Sequence, residues 1–118
     1  MITAAVITPV PRDQQQTALR HLADGQETDA LKALLVGSDL SPAHAPAALA
    51  VLRKRNLPVT ADEAAAVLAE HDPALRQVLH GLLSAGRRRE ALIFLRGATG
   101  VGIVTARRIV ASLTPAPA

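Results

Sequence analysis

Arginine dominates the C-terminal third of the chain: Arg87, Arg88 and Arg89 stand in a row, Arg96 follows, and Arg107 and Arg108 complete the set. A guanidinium is a permanently charged, planar fork of donors, and its chemistry is the gripping of carboxylates and phosphates. From Arg76 to Ala118 the net charge is +6, with Glu90 the only acid, whereas Met1 to Leu75 carries −3 and the whole chain +3. A solvated face needs charge but not charge of one sign, so the bias points to an acidic partner, either phosphates or a carboxylate-rich protein surface. Arg53, Lys54 and Arg55 form a smaller cluster, read as favourable charge at a helix C-terminus.

Two further features lie among these arginines. Ile93 and Val104 fall at positions expected to be exposed, and with Phe94 they would form a small apolar patch rimmed by Arg96, Arg107 and Arg108, the arrangement of a protein-binding surface. Gly100, Val101 and Gly102 are close to a helix-hairpin-helix turn, in which glycines let the backbone approach a phosphate and the N–H groups of the next helix bind it. A tight turn between packed helices accounts for the same glycines without a ligand.

Other chemistries find little purchase. His21, His44, His71 and His80 have no metal-ligand spacing, cysteine is absent, and no nucleophile–histidine–carboxylate set stands out. "GATGVG" lacks the following Lys-Ser/Thr and the preceding strand of a phosphate loop. The stretch from Val59 to Leu79 has the outline of a DNA-reading helix-turn-helix, but its turn is acidic and reads better as two packed helices. The expectation is a non-enzyme without metal or cofactor.

The elements that must position these residues are helical. With 118 residues, 49% of them hydrophobic, the chain has the length of one ordinary domain with a modest core. Phe94 is the only aromatic residue, so the enrichment that marks strands is thin while Ala, Leu, Arg and Glu favour helices. The reading is an all-α compact bundle of about seven short helices, near 13–23, 27–36, 42–56, 60–70, 72–85, 88–97 and 103–113. Gly25 and Gly86 close helices, Thr60 with Glu63 forms a capping box, and Asp72 caps the helix that Pro73 begins. Residues 1–12 are expected to be a flexible segment, 13–113 a single domain, and 114–118 a disordered tail. No apolar run reaches the length of a membrane span, and the N-terminus lacks a signal-peptide pattern, which predicts a cytoplasmic protein.

Sliding the chain along itself by 61 positions aligns Leu22, Gly25, Ala30, Leu31 and Leu34 with Leu83, Gly86, Ala91, Leu92 and Leu95. The halves 17–57 and 78–113 thus read as repeated helical hairpins. Arg87, Arg88 and Arg89 align with Gln26, Glu27 and Thr28, so the scaffold does not demand three arginines.

The C-terminal hairpin carries Gly86, Ala91, Leu92, Arg96, Thr99, Gly100, Gly102, Ile103, Ala106, Arg107 and Val110 at spacings that resemble the helix–turn–helix hairpin of the bacterial ribosomal stalk protein. The resemblance spans residues 86–110. It implies a hairpin whose exposed helix contacts translation factors through basic residues; Arg107 occupies one of those positions and Val104 the other. That domain also has a small β-sheet, for which no segment of this chain reads as strand. The expected function is a binding module that recognises an acidic protein through Arg87, Arg88, Arg89, Ile93, Arg96, Val104, Arg107 and Arg108, and the resemblance implies a translation-related factor as that partner. Alternatives are sequence-independent nucleic-acid binding through the Gly100–Gly102 turn and homo-oligomerisation through the same patch.

Overall fold

The computed structural model describes residues 3–114, which form eight α-helices and no strand. They are α1 (Ala4–Ile7), α2 (Arg12–Ala23), α3 (Glu27–Leu35), α4 (Ala45–Leu52), α5 (Ala61–His71), α6 (Pro73–Ser84), α7 (Arg88–Thr99) and α8 (Ile103–Leu113). The all-α reading holds, and seven of the helices lie where the sequence placed them.

Local chemistry explains the boundaries. At α5 the Glu63 N–H donates to Thr60 Oγ1 at 3.1 Å while the Thr60 N–H donates to the Glu63 carboxylate at 3.3 Å, satisfying two otherwise orphaned donors. At α6 the Leu75 N–H donates to Asp72 Oδ1 at 3.2 Å, and Pro73 takes the first position, where a missing N–H costs nothing. Gly25 and Gly86 lie at φ of +73° and +75°, the left-handed geometry that lets the chain reverse after α2 and α6.

Residues 1–12 are not a flexible segment where the structure describes them. Ala4, Ala5, Ile7, Thr8 and Val10 are all buried. A four-residue helix has no stability of its own; α1 exists because its apolar side chains fill the interior. The Val10 N–H donates to the Pro58 carbonyl at 2.9 Å, and Val10 and Leu57 are both bound by the amide of buried Gln15. Pro9 and Pro11 forbid a continuous helix, yet extended backbone held by such bonds is not mobile backbone. At the other end the Thr114 hydroxyl donates to the Val110 carbonyl at 2.7 Å, and residues 115–118 of the expected tail lie outside the described residues.

The 61-residue offset is a structural repeat that extends beyond the halves expected from sequence. α2 and α6 match end for end, and α1 (Ala-Ala-Val-Ile) falls on Ala65–Leu68 (Ala-Ala-Val-Leu) of α5. The loops match too: Ser38 Oγ donates to the Leu34 carbonyl at 2.6 Å and accepts from the Leu40 N–H at 3.4 Å, as Thr99 Oγ1 does with Leu95 at 2.7 Å and Val101 at 3.4 Å. Each half is therefore a four-helix unit, α1–α4 and α5–α8.

Apolar residues gather in two clusters. The first lies within residues 5–57 around Ala30, Leu34, Leu49 and Leu52, and the second around Leu68, Leu79, Leu95 and Ile109. Ala4 and Ile7 of α1 belong to the second cluster while Ala5 belongs to the first. α1 packs on both α4 and α5 and joins the halves into a body measuring 50 × 27 × 21 Å.

Candidate binding groove

α7 and α8 pack against each other as a hairpin, burying Ala91, Leu95 and Thr99 from one helix and Thr105, Ala106, Ile109 and Val110 from the other. With about 100° of rotation per residue, α7 places Arg88, Arg89 and Leu92 on the flank that faces α8. α8 answers with Arg107 and Val110. The five side chains line a groove of about 470 Å³ with an apolar floor and three guanidinium groups on its walls. None of the three forms an ion pair among the described residues, where Arg87 bonds Glu90 at 3.5 Å and Arg53 approaches Glu27 at 4.0 Å.

The remaining sequence-selected residues divide between this groove and other surfaces. Arg89, Ile93 and Arg96 fall at i, i+4 and i+7 and share one stripe beside the groove. Ile93 is 61% exposed, the most open of the large apolar side chains, as expected for it. Arg96 also reaches the turn, its Nε donating to the Val101 carbonyl at 3.5 Å. Ile103 is exposed and falls at helical spacing from Arg107 and Val110, outside the groove lining.

Val104 and Arg108 do not join them. Both turn to a separate recess of about 250 Å³, shared with Pro9, Gly37, Ser38 and Asp39 of the first half. The expected single patch is thus two surfaces. Phe94, 100° further round α7 than Ile93, lies off the groove stripe.

The Gly100–Val101–Gly102 turn is engaged from within the molecule. Val101 is a core residue, 2% exposed. Asp39, 66 residues earlier, accepts a hydrogen bond from the Thr105 N–H at 3.1 Å, so an internal carboxylate already occupies the first turn of α8. Gly102 has φ of −67°, which any residue adopts, yet a Cβ there would collide with the Asp39 carboxylate. Gly100 lies at φ +78°, with the His44 ring against it. These glycines are accounted for by a reversal and by close approach to the α3–α4 loop, and a phosphate would have to displace Asp39.

No family model, curated protein or solved structure matches the chain. The groove is therefore interpreted from its own chemistry. Among the described residues no group of three or more His, Cys, Asp or Glu side chains is placed to hold a metal ion, and no helix is long and apolar enough to cross a membrane.

Sequence reasoning missed the floor of the groove and the internal carboxylate of Asp39 at the start of α8. A spacing did mark the floor: Arg89 with Leu92 and Arg107 with Val110 are both arginine followed three residues later by an apolar side chain, one helical neighbour away. No local pattern marks Asp39.

Proposed function

We propose that the protein is a small, non-enzymatic binding module that takes an acidic protein surface into the groove between α7 and α8. The observation that carries this reading is the set of three guanidinium groups without ion-pair partners among the described residues, Arg88, Arg89 and Arg107, around the apolar floor of Leu92 and Val110. An apolar floor favours a side-chain anchor, and the charged rim accelerates encounter and rejects basic partners. The resemblance to the ribosomal stalk hairpin adds a translation-related factor as the class of partner to test first. Asp39 at the α8 N-terminus weighs against phosphate binding at the turn.

Fluorescence anisotropy with an acidic peptide carrying one central leucine tests the reading. Replacing Arg88, Arg89 and Arg107 together by Glu is expected to weaken binding at least about a hundredfold, because three attractive charges become repulsive towards an acidic peptide, and Ile93→Asp about tenfold, because Ile93 lies beside the groove and carries a single charge change. Duplex DNA or structured RNA that bound tightly with a steep salt slope, while the peptide did not bind, would overturn it.

A further inference from the structure

The structural repeat places a second groove where the first half has its own hairpin. Between α3 and α4, Glu27, Pro46, Leu49, Ala50 and Arg53 line a hollow of about 180 Å³. At the 61-residue offset Glu27 corresponds to Arg88, Pro46 to Arg107 and Leu49 to Val110. The floor keeps an apolar residue, whereas Arg88 gives way to Glu27, which Arg53 approaches at 4.0 Å, and Arg107 gives way to uncharged Pro46.

The turns leading into these grooves share one backbone and differ in sign. Gln26 lies at φ −98°, ψ 71° and Arg87 at φ −96°, ψ 58°. The Gln26 N–H donates to the His21 carbonyl and the Arg87 N–H to the Leu82 carbonyl, both at 2.8 Å. On this common frame the first turn carries Asp24, Glu27 and Asp29, and the second Arg87, Arg88, Arg89 and Glu90, all of them exposed, so that three acids with no base face three bases with one acid. α2 and α3 pack chiefly within the first half, and α6 and α7 within the second, so the two turns do not neutralise each other inside one molecule.

From this pairing we infer that the acidic surface taken by the basic groove is a second copy of this chain, presented by its Asp24–Asp29 turn. The inference rests on the proposed function and names the partner of that same site. The complementarity is three carboxylates against three guanidinium groups, with half-buried Leu31, one helical turn from Glu27, supplying apolar contact to the groove. A single exposed ion pair contributes little. Several acting together over an apolar floor give an association that salt weakens, since the Debye length shrinks from about 30 Å at 0.01 M to about 3 Å at 1 M.

Sedimentation velocity of the full chain at low and high salt tests it, with circular dichroism to check folding. Self-association is expected at low salt and its loss at high salt. One variant, Arg87→Glu with Arg88→Glu and Arg89→Glu, carries two acidic turns; another, Asp24→Lys with Glu27→Lys and Asp29→Lys, carries two basic turns. Each is expected to be monomeric alone, and an equimolar mixture is expected to associate. A wild-type chain that stays monomeric at low salt, or a mixture that fails to associate, overturns the inference. The acidic peptide, titrated into the variant with two basic turns, separates the two readings. Peptide binding without wild-type self-association overturns this inference and leaves the proposed function standing, whereas absence of both overturns both.

Discussion

Asp39 and Gly102 show how much a single side chain can decide. The carboxylate caps α8 from the other half of the molecule and lies where a Cβ on Gly102 would be. Asp39→Ala is expected to cost about 1 kcal/mol, the usual loss for a helix cap. Gly102→Ala is expected to cost about 1 kcal/mol, because the flexible Asp39 side chain can move aside only by giving up its cap on α8. Because the collision needs both groups, Gly102→Ala made in the Asp39→Ala background should cost at least about 0.5 kcal/mol less than in the wild type, a coupling read from urea unfolding of the four proteins. Purely additive costs would show that the two residues do not share this site. Gln15 is a second such case. Its buried amide satisfies the carbonyls of Val10 and Leu57 and the Leu57 N–H at 2.9–3.0 Å, so Gln15→Leu leaves buried backbone groups without partners and should cost about 1–3 kcal/mol for each group that water cannot reach. Neither interaction was legible in the sequence, since its partners are 66 and 42 residues apart and no local pattern joins them.

At the scale of elements the sequence was far more informative. Helix ends are decided by neighbours a few residues away, so the capping box at Thr60, the Asp72 cap and the reversals at Gly25 and Gly86 could be read directly. Two glycines test this understanding with opposite signs. Gly86→Ala forces a Cβ into left-handed geometry at φ +75° and should lower stability by about 1 kcal/mol. Gly81 lies inside α6 with open space where an added methyl group would stand, so Gly81→Ala should raise stability by about 0.5–1 kcal/mol. Thermal melts that moved the same way for both would contradict the assignment of these helix ends. The element the sequence hid was α1. Its four residues carry no cap and lie beside prolines, and only burial makes them helical; the match of Ala4–Ile7 to Ala65–Leu68 was the one available signal. The groove was half legible for a related reason. Clustered arginines announce themselves, but half-buried Leu92 looks the same in sequence whether it faces a core or a cleft.

The whole molecule is two similar four-helix units whose interiors are joined through α1. Ile7 has no exposed surface and belongs to the second apolar cluster although it lies at the start of the first unit. Ile7→Ala should therefore cost about 2–5 kcal/mol, the usual range for such a buried truncation. Unfolding should remain one cooperative transition with coincident curves by circular dichroism and hydrogen exchange, because neither unit can lose its packing without disturbing the helix they share. Two separated transitions would mean that the units are independent. The same arrangement sets an order of events during synthesis. α1, made before α8, is needed by a core completed only later, since its Ala4 and Ile7 belong to the apolar cluster that Leu95, Ile109 and Val110 complete. A nascent chain that has emerged only as far as α4 still has those two side chains without their destination, and the finished fold waits for α8.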